Sequence, residues 1–110
     1  MSSLVVRYLS DHALSALLKT DIKGRIYQHY NGGFYRVTDI VTNATNGCSR
    51  SGKWIVYKTL KTTNATANPI GQGWCRDARE FFSAVPVDGK TVPCFVKKSK
   101  RFKIKKDDAL

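Results

Sequence analysis

Leu14, Leu17, Leu18 and Ile22 recur at helical spacing near the start of the chain, and Ala13 widens the stripe. The pattern predicts helical structure over residues 4–22. Ser10 and Asp11 are capping types that would start the helix at Asp11 or His12, because a short side-chain oxygen can accept from a spare amide of the first turn. Lys19 suits the negative end of the helix dipole, and Gly24 ends the helix.

From Gly24 the pattern changes from a stripe to alternation. Arg25 to Tyr30 and Phe34 to Val41 read as two strands, with Tyr35, Val37 and Val41 on one face and Arg36 and Thr38 on the other. Between them Asn31-Gly32-Gly33 is a turn of residues that tolerate positive φ, so the two strands form a hairpin. Residues 42–53 hold no large apolar side chain and read as a surface loop. Trp54 to Leu60 is a third strand, residues 61–72 are a second polar stretch, and Gly73 to Arg76 is a fourth strand. Asp77 caps a single helical turn through Phe82. Val85 to Val87 and Thr91 to Val96 flank Asp88-Gly89, a two-residue hairpin signal, and Pro86 and Pro93 place that hairpin at a sheet edge.

The predicted fold class is mainly β, of the α+β kind: a small, partly open antiparallel β-barrel or curled sheet with one N-terminal helix. The domains follow as a helical extension over 1–23, a β domain over 24–96 and a basic tail over 97–110. In the tail, Phe102 and Ile104 alternate with Arg101, Lys103 and Lys105. That alternation allows a strand laid on an acidic surface, and the composition equally allows disorder in the free protein.

Composition sharpens this picture. The chain has 110 residues and 42% are hydrophobic, enough for one modest core and too short for two domains. No apolar run can span a bilayer, and the segment Met1 to Arg7 has no basic leader followed by an apolar stretch. The expected compartment is therefore the cytoplasm. Cys48, Cys75 and Cys94 are odd in number and far apart, so they are expected to be reduced, buried small residues or, for Cys48, a loop thiol. With His12 and His29 they offer no ligand spacing for a metal, and His12 reads as a solvated side chain. No metal or cofactor is expected. Asn43-Ala44-Thr45 and Asn64-Ala65-Thr66 match a glycosylation pattern but read as chance matches in polar loops.

Charge changes the picture most. Nineteen Lys and Arg face eight Asp and Glu, a formal net charge of +11. Seven of the cations lie in residues 97–110, so the body is basic without the tail. Such a field draws anions and speeds encounters with acidic partners.

Three stretches carry a family resemblance: Gly24-Arg-Ile-Tyr27-Gln-His29-Tyr30 with Gly32, Tyr35 and Val37; Val56-Tyr57-Lys58 with Leu60; and Trp74 with Arg76, Phe81, Val85, Val87-Asp88-Gly89-Lys90, Val92-Pro93 and Phe95. The segment from Gly24 to Phe95 resembles a small bacterial and phage family known as domain of unknown function 1653. The resemblance implies a compact, mostly β domain and no particular activity. Asp77 stands where the family usually has proline, both polar loops look long, and the N-terminal helix and basic tail read as additions outside the family segment.

No catalytic motif is present: no phosphate-binding glycine loop, no nucleophile elbow, no zinc-protease helix, no spaced pair of acids. Cys75 or Cys94 could pair with His29, but nothing local would activate the thiolate. The reading is therefore non-enzymatic. The positive signal is basic residues interleaved with aromatic ones, which can stack bases and hold phosphates. The candidate ligand-binding residues are Tyr27, His29, Arg36, Tyr57, Trp74 and Arg76; many of the rings must also serve as core. Trp74 and Arg76 share one strand face, which suits a stacked or bidentate site, although Arg76 could instead form an ion pair with Asp77, Glu80 or Asp39. His29 could equally be a partly buried polar residue donating to the backbone. The candidate phosphate contacts are Lys97, Lys98, Lys100, Arg101, Lys103, Lys105 and Lys106. The expected partner is a polyanion, RNA, DNA or a nucleotide, bound openly or in a closed nucleotide pocket. The alternative is a regulator or inhibitor docking on an acidic surface of a host protein.

Overall fold

The computed structural model describes residues 5–42, 44, 52–62 and 68–104. Helix α1 (Asp11–Leu18) starts where Ser10 caps it, its hydroxyl accepting from the Ala13 amide at 3.1 Å. The helix is shorter than residues 4–22. Ahead of Ser10 the chain is extended, and Arg7 bridges Ala84 through two backbone hydrogen bonds of 2.8 and 2.9 Å. Val5 and Val6, β-branched and beyond the cap, suit that extended course. Leu14 anchors α1 in the core, while Ile22 is buried in the chain that follows the helix.

Seven strands follow: β1 (Ile26–His29), β2 (Phe34–Thr42), β3 (Lys53–Lys61), β4 (Gly73–Asp77), β5 (Ala84–Val87), β6 (Lys90–Pro93) and β7 (Phe95–Lys97). The helical turn α2 (Ala78–Phe81) sits between β4 and β5, and the Asp77 carboxylate caps it by accepting from the Arg79 amide at 2.8 Å. The fold is mainly β, an antiparallel five-stranded sheet in the order β4-β3-β2-β1-β7 with a separate β5-β6 hairpin. The large sheet is curled and open, with β4 and β7 as its edges. Among the described residues no helix is long and apolar enough to cross a membrane.

Three details of register depart from simple alternation. Phe34 pairs with Lys61 but Tyr35 pairs with Thr59, so Leu60 is an extra residue in β3. Val37 pairs with Tyr57 but Asp39 pairs with Val56, so Thr38 is an extra residue in β2. Beyond this bulge the faces exchange: Ile40 packs against the core and Val41 turns outward, 39% exposed. The run from Thr91 to Val96 is divided at Cys94. Its first part closes the β5-β6 hairpin and its last part crosses to the large sheet, where Phe95 pairs with His29. At the hairpin tip Asp88 (φ 50°) and Gly89 (φ 79°) both take the left-handed conformation that this short turn demands.

The core lies between the inner face of the sheet and α2. Phe81 is fully buried and stacks on Phe95 at 4.1 Å with planes 8° apart. Tyr27 meets Phe81 edge-on at 5.2 Å, and Tyr57 approaches both Phe81 and Phe95. The C-terminal segment is bound to the opposite, outer face. Lys97 belongs to β7, the Lys98 amide donates to the Ile26 carbonyl, and Phe102 stacks on Phe34 at 5.3 Å. Residues 97–104 therefore form a strap across the sheet, where the sequence allowed a free tail. Lys105 and Lys106 lie outside the described residues, as do Cys48, both glycosylation-like asparagines and most of the two polar loops.

Candidate ligand pocket and cationic cleft

A pocket of about 200 Å³ opens on the inner face, lined by His29, Asn31, Tyr35, Tyr57, Asn68, Trp74, Arg76 and Phe95. Strand register assembles it. Tyr57 and Trp74 are paired across β3 and β4, and Ile55 pairs with Arg76 two residues along, so both β4 side chains share the face that carries Tyr57. His29 on β1 and Phe95 on β7 are likewise paired. The Asn31-Gly32-Gly33 turn forms part of the rim. A Cβ on Gly33 would stand 3.1 Å from the Tyr35 ring and hydroxyl, so any larger residue here would have to push the Tyr35 side chain aside by a few tenths of an ångström.

Arg76 has an unusual environment for a guanidinium. It is partly buried, lies 5.4 Å from the Phe95 ring centre and donates to the Cys94 sulfur at 3.4 Å. Among the described residues no carboxylate comes within 4.0 Å of it. The acids offered by the sequence are engaged elsewhere: Asp39 pairs with Lys23 at 3.0 Å, Asp77 caps α2, and Glu80 accepts from the Tyr8 hydroxyl at 3.4 Å. The Arg76 charge opposes the effect of burial on its neighbours. Burial pushes the Tyr57 hydroxyl and the Cys94 thiol up, and Arg76 partly offsets both.

His29 is held neutral. Burial lowers its pKa first, and the Arg76 charge lowers it further, against a hydrogen bond with Asn31 that raises it. Its Nδ1 accepts from the Asn31 amide at 3.2 Å, which leaves Nε2 to carry the proton, 3.7 Å from the Cys94 sulfur. The ring stacks beside Tyr30 and meets Phe95 edge-on. His29 therefore accepts from the backbone, where the sequence suggested a donor. Burial disfavours the Cys94 thiolate, so the proximity of Cys94 to His29 does not make an activated pair. Cys75 is exposed on β4.

The other side of the pocket is an amide and hydroxyl cluster absent from the sequence prediction. Asn68 Oδ1 accepts from the Thr59 hydroxyl at 2.5 Å and from the Trp74 indole N–H at 3.1 Å, while Asn68 Nδ2 donates to the Tyr35 hydroxyl at 2.6 Å. Trp74 also donates to the Thr59 hydroxyl at 2.9 Å, and its ring remains 38% exposed.

Of the six candidate ligand-binding residues, His29, Tyr57, Trp74 and Arg76 meet here. Tyr27 and Arg36 do not. Tyr27 is only 3% exposed and is packed against Phe81 and Phe82. Arg36 projects from the outer face, where it donates to the Gly24 carbonyl at 2.7 Å. There it lines a second depression, a cleft of about 430 Å³ with Asp21, Lys23, Gly24, Arg25, Ile26, Ser99, Lys100, Phe102 and Lys103. Among the described residues, five cations and one acid border this cleft. Asp21 accepts from Arg25 at 3.2 Å and lies 3.5 Å from Lys100; its contact with Arg25 is the main reason its pKa is lowered. Arg36, Lys97, Lys98, Arg101 and Lys103 have no described carboxylate within 4.0 Å, and Lys98 sits 5.5 Å from the Phe102 ring centre.

Residues 25–104 match the family described as protein of unknown function DUF1653. The chain belongs to this family. No curated protein and no solved structure matches it. The DUF1653 segment spans all seven strands, α2, the pocket and the strap as far as Ile104, so residues 96–104 are part of the family domain and not an addition to it. Helix α1 precedes the matched segment, although Leu14 is one of the core residues.

Proposed function

We propose that the protein is a non-enzymatic binding module for a polyanion, a nucleic acid or nucleotide. The observation that carries this reading is the outer cleft, where, among the described residues, Lys23, Arg25, Arg36, Lys100 and Lys103 stand with Asp21 as the one lining acid. Lys23 is held by Asp39, and Arg25 and Lys100 lie against Asp21, which leaves Arg36 and Lys103 without a described carboxylate. Cations without a carboxylate partner are neutralised by phosphates at little desolvation cost. Lys98 and Arg101 extend the cationic surface along the strap, whereas Lys97, paired with Tyr27 in β7, belongs to the other face. The +11 charge of the chain steers the encounter.

The test is salt-dependent binding to a single-stranded oligonucleotide. Five phosphate contacts give a slope of log K against log salt of about −3 to −5. Replacing Arg36, Lys100 and Lys103 by Gln together lowers affinity and flattens the slope, with Tm nearly unchanged. An affinity that stays flat between low and physiological salt defeats the proposal. Removing residues 97–110 is the wrong truncation, because it takes Lys97 from β7 and Phe102 from Phe34.

A second reading has its own support. Beside the edge strand β7, Tyr30, Val92, Pro93 and Val96 line a groove of about 450 Å³. Such an exposed apolar surface suits contact with another protein. A pull-down after nuclease treatment separates the two: a protein partner that survives nuclease favours this second reading.

A further inference from the structure

Among the described residues, the inner pocket holds one positive charge and no negative one. Arg76 supplies the charge, His29 is neutral, and no acid is among the lining residues. The unused hydrogen-bonding capacity is mostly donor. Asn68 Oδ1 already accepts twice, and the Asn31 side-chain oxygen accepts from the Gly33 amide at 2.9 Å. The Tyr35 hydroxyl accepts from Asn68 and keeps its own proton to give, as Asn68 keeps a second N–H. The walls are the rings of Trp74, Tyr57, Tyr35 and Phe95. A donor-lined, aromatic pocket around a lone guanidinium calls for a flat ligand with two adjacent acceptor oxygens and a single negative charge.

We propose that this pocket binds a small planar monocarboxylate of the aryl type, with its carboxylate on Arg76 and its ring against Trp74 and Tyr57. The two carboxylate oxygens match the fork of guanidinium donors. One negative charge cancels the one positive charge among low-polarity rings. A phosphate dianion would exceed it, and a neutral nucleobase would leave the guanidinium unbalanced. At about 200 Å³ the pocket has room for one ring and its carboxyl group but not for a nucleotide. This site lies on the opposite face of the sheet from the polyanion cleft, so it does not rest on the nucleic-acid reading.

Benzoate is the probe. At constant ionic strength, benzoate in the millimolar range raises Tm by several degrees. In the wild-type protein it shifts the Trp74 indole N–H signal saturably in heteronuclear spectra, while the amides of residues 99–103 stay in place. Arg76→Lys keeps the charge but loses the fork and weakens binding at least about tenfold; Arg76→Gln abolishes it. Inorganic phosphate and guanosine leave the Trp74 signal unmoved. No saturable shift of that signal with benzoate, or an equal shift with guanosine, overturns the proposal. The wild-type titration decides the matter even if the Arg76 variants fold poorly, and neither result depends on oligonucleotide binding.

Discussion

The two faces of the five-stranded sheet bury aromatic rings and carry cations in opposite proportions. Inside, Tyr27, Tyr57, Phe81 and Phe95 form a continuous ring cluster, and Arg76 stands at its edge beside the Phe95 ring. Outside, a single stack of Phe34 on Phe102 secures the strap, and five Lys and Arg surround the adjoining cleft. The contrast separates two kinds of electrostatics. A guanidinium flanked by rings interacts strongly and with one partner at a time, because little water screens it. Exposed cations interact weakly one by one, are damped by salt, and act by their number.

The comparison is broken most directly at its centre. Phe81→Ala removes the ring that stacks on Phe95 and touches Tyr27 and Tyr57, leaving a cavity that α2 cannot close. It should cost about 3–5 kcal/mol in denaturant unfolding. A loss below about 1 kcal/mol would mean that the inner face is not the source of stability.

Alkaline pH probes the same face without mutation. Burial pushes the Tyr27 pKa up to about 12. The folded state prefers the neutral phenol, so its contribution is complete below the ordinary value near 10. It disappears as pH climbs from there through about 12. Stability should fall by roughly 2–3 kcal/mol over that window, and Tyr27→Phe should remove most of the fall.

The outer face is sharpened by Phe102→Ala. Losing this half-buried ring uncovers Phe34 and unfastens the strap, at a cost of about 1–2 kcal/mol. Benzoate-induced shifts of the Trp74 signal should be unchanged, because the two faces are served by different contacts. Altered benzoate affinity in this variant would show the faces to be coupled.

Sequence reading recovered what local chemistry dictates. The turn at Asn31-Gly32-Gly33, the Asp88-Gly89 hairpin and the cap at Asp77 each require residue types that few other local structures would use. The pairing of Trp74 and Arg76 on one face follows from a two-residue period alone. Long-range facts were out of reach. Alternation puts Tyr27 and His29 on the same face but does not say that α2 covers only Tyr27. A one-residue bulge at Thr38 reverses the faces of Ile40 and Val41 with no mark in the sequence. Asn68 enters the pocket from a polar stretch before Pro69 that looked like a solvated loop. Lys23 and Arg25 were missed at the cleft because the chain on its other side, Ser99 to Lys103, lies far away in sequence.

The three-residue strand β7 has a consequence for how the chain is made. Its partner β1 leaves the ribosome ahead of β2 to β6, whereas Phe95 to Lys97 follow all of them. Until then β1 presents an open flank to any neighbouring chain, and the ring of Phe95 is missing from the site where Phe81 awaits it. Synthesis that stalls before residue 95 would therefore release a sticky, incomplete sheet.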